Sequence, residues 1–286
     1  MLSDVSSAGH LFDPLSARSK SGYVRDIWSM RRYAWELGRS SIRASNSSTS
    51  LGSLWLFLEP IFSISVYFVV FGLLLEVSRG IENYLAFLVV GQVTFGLGQR
   101  ALLGAAGSLE RQAPMMQALS FPRAVLPLSE VLKAGAAYRT EAVVMFLVLP
   151  LIGEVPRITS FLIVPIVMVQ LVTALGMGMG LARLVRRFGD VQRLLTHLMR
   201  LTFYGSGVFF PLSAFTDSAA VLLGVVIVNP FYNHLELSRW AIIGTPIEHP
   251  VLSVTMALFW ALFAITAGGW FFRSAEGSYA AKVVPG

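Results

Sequence analysis

Residues 158–182 contain no charged side chain, and neither do residues 250–272. Each run matches the roughly 20 residues that an α-helix needs to cross a bilayer. A water-soluble domain carries about 25% charged residues; this chain of 286 residues carries 13%, with 55% hydrophobic residues and a mean hydropathy of +0.67. Such a composition cannot cover a single core with polar surface. The expectation is an integral, all-α membrane protein, and a water-soluble enzyme is excluded. The chain has no cysteine, which removes disulfides, thiolate metal sites and cysteine nucleophiles.

Further apolar runs extend the pattern to six expected spans, at about 52–75, 83–104, 130–152, 158–182, 194–212 and 250–272. The third has an ambiguous start, because Glu130, Lys133, Arg139 and Glu141 precede its apolar part. Residues 218–235 are also uncharged, but their continuous apolar part, 219–228, falls short of the 17 to 25 or so residues of a crossing. Asn229, Pro230, Asn233 and His234 follow at once. A re-entrant pair of short helices within about 214–246 is expected there, with other protein or water satisfying the broken backbone.

Residues 1–21, rich in Ser and Gly, are expected to form a mobile cytoplasmic tail, without a cleaved leader. Over 22–45, Val24, Ile27, Trp28, Ala34, Trp35 and Ile42 recur at helical spacing, interrupted by arginines that include Arg31 and Arg32. Tryptophan on one side and arginine around the other suit a helix lying in the headgroup layer. A soluble helix packed on a partner has the same pattern. The transmembrane domain then covers 46–273, and 274–286 is a second cytoplasmic tail. With both termini cytoplasmic, all but three of the 22 Lys and Arg fall on the inner side, the exceptions being Arg79, Arg157 and Arg239. The positive-inside bias thus accounts for the net charge of +6 without a nucleic-acid partner.

No glycine-rich phosphate loop precedes Lys20, Lys133 or Lys282, so the chain is not expected to hydrolyse ATP by itself. Gly176, Gly178 and Gly180 lie inside the fourth span and follow no strand. Gly176 and Gly180 share a face, which favours close helix packing in lipid over a dinucleotide site. The four histidines show no metal-ligand spacing, and no catalytic or metal-binding residue is expected. In the first span, Trp55, Glu59, Ser63 and Tyr67 recur every four residues and cover about 120° of the helix wheel. A carboxylate at mid-membrane costs about 2.5–3.5 kcal/mol. Glu59 therefore either snorkels to the nearby surface or helps to line a hydrophilic path whose aromatic rings face sugars. Glu130 and Lys133 can pair across one turn, whereas Arg139 and Glu141 need other partners. The inner connections 108–123 and 183–193 look like docking elements; the second is basic enough to bind lipid headgroups instead.

Five segments in order resemble the ABC-2 export permeases for polysaccharides, the family of O-antigen, teichoic-acid and mycobacterial galactan exporters. They are LGSLWLFLEP at 51–60, FPRAVLPLSEVL at 121–132, RRFGDVQRLL at 186–195, NPFYNHLELSRWAIIG at 229–244 and FFRSAEGSYAAKV at 271–283. The resemblance implies six spans, an interfacial helix before the first and re-entrant helices between the fifth and sixth. It implies a homodimer in the bacterial plasma membrane, joined to two copies of a separate ATP-binding subunit that holds ATP and Mg. It also makes the connection between the second and third spans the coupling element. Here that element is 108–123, with Arg111, Met115, Met116, Phe121, Pro122 and Arg123 meeting the ATPase. The interfacial helix, with Trp28, Arg31, Arg32 and Trp35, would face the same partner. A lipid-linked glycan would enter from the cytoplasmic leaflet and pass aromatics of the first, second and fifth spans: Tyr67, Phe71, Phe95, Tyr204 and Phe209. The family usually has Asn where this chain has Glu59, so the resemblance assigns that carboxylate no role.

The function expected is therefore the permease half of an ATP-driven exporter of lipid-linked polysaccharide. The alternatives are an ABC-2 permease for a drug or lipid, and a membrane-bound enzyme acting on a lipid-linked sugar. An ion-coupled carrier is a further option, but it would want paired ionisable groups deep in several spans. Acidic residues on the outer side are scattered, which weighs against the enzyme.

Overall fold

A computed structural model of the chain describes residues 29–46, 55–74, 81–118, 121–211, 224–225, 228–247, 249–276 and 279. All regular structure among them is helical. In chain order the helices are α1 (Arg31–Asn46), α2 (Trp55–Tyr67, continued as a π-helix over Phe68–Leu74), α3 (Tyr84–Ala106), and the short α4 (Ser108–Arg111) and α5 (Ala113–Ala118). There follow α6 (Val125–Leu151), a 3₁₀ turn over Ile158–Leu162 leading into α7 (Ile163–Arg187), and α8 (Asp190–Gly205). Last come α9 (Pro230–Ile243) and α10 (Pro250–Phe263), which passes through a π turn at Ala264–Gly268 into α11 (Gly269–Arg273).

Four of these are long and apolar enough to cross a membrane: α3, α6, the 158–187 helix and the 250–273 helix. The chain is thus built as a multi-pass membrane protein. At the other two expected spans the described residues do not offer so long an apolar helix. The apolar part of the first is Ile61–Leu74. Helix α8 has 16 residues, about 24 Å at 1.5 Å per residue, against a hydrocarbon core of about 30 Å.

Helix α3 is the central post, buried along most of its length against α6, α7 and α9. Its Asn83 cap accepts a hydrogen bond from the Ala86 N–H and donates through Nδ2 to the Ile152 carbonyl at the end of α6 (3.0 Å). Glycines set the neighbouring contacts. A Cβ on Gly176 would overlap the backbone of Ala264 and Ile265, and one on Gly268 would overlap the Gly176 carbonyl. Gly178 turns the other way, onto Ala105 of α3. The Gly176–Gly180 stretch is therefore a packing seam that brings two backbones together, as expected for small residues in lipid. The π turn of the partner helix lies at this crossing.

Helix α9 lies within the expected re-entrant segment, whose residues 214–223 and 226–227 are outside the described ones. Asn229 caps it by accepting from the Phe231 and Tyr232 N–H groups, Pro230 opens it, and Gly244 closes it at φ 73°. Like α3, and unlike the other three long helices, it is buried on nearly every side. Its last turn is stitched to the 157–159 connection, because Ile242 O accepts from the Arg157 N–H (3.0 Å) and Ala241 O from the Thr159 hydroxyl (2.7 Å).

At the opposite, basic end, a second core joins Ala34 of α1, Leu109 of α4, Met116 of α5, Leu126 of α6, Ala182 of α7 and Phe272 of α11. Helix α1 crosses α6 so closely that a Cβ on Gly38 would sit 2.8 Å from the Ser129 carbonyl. Helix α6 starts at Val125, five residues before the expected start of about 130, because its first turns belong to this protein core. There Glu130 meets Arg111 (3.2 Å) as well as Lys133 (4.0 Å). The expected basic connection at 183–193 shrinks to Phe188 and Gly189, since α7 runs to Arg187 and α8 begins at Asp190.

Candidate functional site

Between α2, α3, α6 and α8 lies a cavity of about 390 Å³. Ser63 and Tyr67 reach it from α2, Gln92, Phe95, Gly96, Gln99 and Arg100 from α3, Glu141 from α6, and Thr196, Arg200, Phe203 and Tyr204 from α8. Helix α8 is amphipathic: Leu195 and Met199 face the core, Leu194, Leu198 and Leu201 face outward, and its polar side meets the cavity. Gly96 follows Gln92 by four residues, and Gln99 and Arg100 follow Gly96 by three and four, so one face of α3 is polar.

One wall is a continuous cluster of rings. Tyr67 meets Phe209 edge-on at 4.9 Å between centroids, Phe71 stacks on Phe209 at 4.3 Å, and Tyr204 stacks on it at 5.6 Å. Phe203 joins Phe95 (5.1 Å) to Phe209 (4.9 Å). The aromatics singled out from the sequence, Tyr67, Phe71, Phe95, Tyr204 and Phe209, thus come together around Phe203. Tyr67, Phe95 and Tyr204 also reach the cavity, as does Ser63. Trp55 and Glu59 fall in α2, and their side chains lie outside the described residues.

Charge enters this site as an ion pair. Arg100 Nη2 of α3 contacts Glu141 Oε2 of α6 at 2.5 Å, so Glu141 has the partner its place in the third span called for. Gly96 makes room for the arginine, because a Cβ there would sit 3.0 Å from Nη1. Sequence reasoning passed over Arg100, Gln92, Gln99, Arg200 and Phe203. The helical spacing of the α3 residues was the available signal.

The cavity's aromatic wall is anchored by a different arginine. Arg239 of α9 is fully buried and donates to the carbonyls of Gly207 (2.8 Å), Val208 (2.7 Å) and Phe87 (3.3 Å). Glu236, one turn back, neutralises it at 3.3 Å, and its Cζ lies 3.4 Å from the centroid of the Phe87 ring. The two carbonyls it grips directly precede Phe209, so the outlying α9 sets where that ring stands. His234, also fully buried on α9, bonds through Nδ1 to the Pro230 carbonyl (2.7 Å). Burial holds its imidazole down at about 4, against a weaker opposing pull from that carbonyl.

At the basic end the expected coupling residues divide. Met116, Phe121, Pro122 and Arg123 are buried in the local core. Arg123 lies 5.0 Å from the Phe121 ring centroid, and its N–H donates to Glu276 (2.7 Å). Arg111 is exposed, and Met115 is half-buried and accepts from the Tyr33 hydroxyl of α1 (3.3 Å). On α1 itself Arg31, Arg32 and Trp35 are exposed, opposite buried Ala34 and Gly38; Trp28 lies outside the described residues. The exposed face at this end therefore combines α1 with α4 and the start of α5.

No family model matches the chain. The O-antigen export system permease protein RfbA of Myxococcus xanthus is 26% identical over 248 residues, which cover 85% of this chain and 94% of that protein. An O-antigen export system permease protein RfbA of Klebsiella pneumoniae is 24% identical over 197 residues, 68% of this chain and 73% of that protein. The polysialic acid transport protein KpsM of Escherichia coli is 25% identical over 224 residues, 76% of this chain and 84% of that protein. At modest identity over most of its length, the chain is similar to polysaccharide export permeases of the ABC-2 type, the family its motifs resemble.

Proposed function

We propose that this chain is the transmembrane subunit of an ATP-driven exporter that moves a lipid-linked polysaccharide across the bacterial plasma membrane. The observation that carries this reading is the cavity, where stacked aromatic rings face amide, hydroxyl and guanidinium groups within a bundle of apolar helices. Rings offer flat apolar faces to sugar rings, and the polar groups offer donors and acceptors to their hydroxyls. Tyr67, Phe95 and Tyr204, with Ser63, would line the path, and Phe71 and Phe209 would back it. Trp55 and Glu59 are proposed to extend it along α2.

Energy would come from a separate ATP-binding subunit that holds ATP and Mg, two copies serving a homodimer of this chain. The exposed face formed by Arg31, Arg32, Trp35 and Arg111 is the proposed docking surface. Buried Met116, Phe121 and Arg123 would transmit its movement into α6 instead of touching the partner. In this arrangement both termini are cytoplasmic, α1 lies at the membrane surface, α2 with its π continuation and α8 complete six crossings, and α9 belongs to a re-entrant segment.

Depletion of the chain in its host, followed by leaflet-resolved analysis of lipid-linked glycans, tests the reading. Accumulation of one long glycan on the cytoplasmic side is the expected result. A block in elongation with only short precursors would point to an enzyme, and unchanged glycans to a drug or lipid permease; either overturns the proposal.

A further inference from the structure

Two hollows of opposite character meet at one carboxylate. Beside the polar cavity, α2, α3 and α6 enclose a second hollow of about 320 Å³, walled by Ile64, Phe68, Val89, Val144, Met145 and Val148. Glu141 and Val93 line both. Along α6 the apolar hollow runs from Glu141 to Val148, about 10 Å at 1.5 Å per residue. It opens beside Ile61 and Val69, which are exposed on α2.

The junction is occupied by the Arg100–Glu141 pair. The carboxylate is mostly enclosed, with 13% of its side chain exposed, whereas the guanidinium is 42% exposed and turned to the polar cavity. A second cation, Arg200, lines the same cavity and makes no ion pair among the described residues. The surfaces therefore follow an order: an apolar groove, then a guanidinium held among the described residues by one carboxylate, then polar groups among aromatic rings. A molecule with an apolar chain, an anionic link and a polyhydroxylated head matches that order. Phosphate oxygens suit the planar guanidinium fork at least as well as a carboxylate does, and they bring more charge.

We propose that Arg100 and Glu141 form an exchangeable latch for a phosphate ester carried on a long apolar chain. The phosphate displaces Glu141 from Arg100, Arg200 serves as the second cation, the chain lies in the α2–α3–α6 groove and the polar head enters the aromatic cavity. Glu141 is a positioning residue: it holds Arg100 ready and competes with the ligand. The inference rests on the lipid-linked cargo proposed above and adds which groups grip the link between lipid and glycan.

Titration of the full chain in detergent with a long-chain polyprenyl monophosphate, read by native mass spectrometry, tests it. Glu141→Gln removes the competitor and is expected to tighten binding severalfold. Arg100→Ala combined with Glu141→Gln leaves no unpaired buried carboxylate and is expected to weaken binding about tenfold or more relative to Glu141→Gln alone. Val148→Trp, which fills the groove, weakens it as well, and polyprenol without phosphate binds poorly and ignores both polar changes. Unchanged binding in the double variant, or a loss in Glu141→Gln as large as in the double variant, overturns the latch. Equal affinity for dioleoyl phosphatidic acid would assign the site to bilayer lipid and overturn its link to cargo. The probe carries no glycan, so the two proposals fail separately. Lost selectivity for phosphate with glycan export intact defeats the latch, and intact phosphate binding with unchanged cellular glycans defeats the export reading.

Discussion

Arg239 and Arg100 each lie against a glycine of α3, Gly91 and Gly96, and the fold holds them in opposite ways. Arg239 has no exposed surface, and three backbone carbonyls and Glu236 take its donors. Arg100 faces the cavity with 42% of its side chain exposed and an ion pair to Glu141. A buried cation that is satisfied on every side fixes the backbone around it, and removing it strands its acceptors. A cation with one carboxylate partner among the described residues, beside open space, can change partners at smaller cost. The difference separates the part of the molecule that holds the cavity from the part that faces into it.

The comparison breaks first at Arg239. Arg239→Ala would leave the Gly207 and Val208 carbonyls and Glu236 without their cation, at a cost of about 3–5 kcal/mol. The expected outcome is loss of monodisperse protein on size exclusion in detergent; a well-behaved Arg239→Ala protein would show that the site is not structural. Gly91→Ala comes next. Its Cβ would sit 2.5 Å from Arg239 Nη2, and a group pinned by three carbonyls cannot step aside, so about 1–3 kcal/mol is expected as a lowered Tm.

His234 sharpens the same contrast through pH. Its folded value of about 4 lies below the ordinary 6.5 or so, so the unfolded chain binds the proton first. The stabilisation is fully present above about pH 6.5 and is lost as the pH falls toward 4, amounting to a few kcal/mol. Thermal melting across that range should show the fall, and His234→Gln should flatten it. Arg111→Glu is expected to act on coupling rather than on folding. It places a carboxylate beside Glu130, 3.2 Å from the present guanidinium, and should raise ATP hydrolysed per glycan exported while membrane insertion stays normal. The smallest effect is expected at Gly96→Ala. The atom in the way is the far end of Arg100 at 3.0 Å, which has open cavity to move into, so stability should change by less than about 1 kcal/mol. A Tm loss there equal to that of Gly91→Ala would erase the distinction between the two arginines.

Much of the architecture was legible because it depends on local facts. Residues 158–182 and 250–272 are helices in the fold, as their length and lack of charge required. Gly176 and Gly180, expected to share a packing face, both meet the 264–268 stretch, because a missing Cβ matters only where another backbone or side chain comes close. The short α4 and α5 fall within the inner connection 108–123. The candidate site was half legible. Its aromatics were picked out through a family resemblance, whereas Arg100 and Glu141, 41 positions apart, were not paired.

The chain's own composition determined that it is a helical membrane protein, because hydrophobic length and the absence of charge are properties of each segment alone. Tertiary structure decided which side of each helix faces which neighbour. A helix apolar all round carries no stripe to set its rotation, and each residue of error turns a side chain by about 100°. That rotation brought Tyr67, Phe95 and Tyr204 to one cavity and set Arg100 against Glu141.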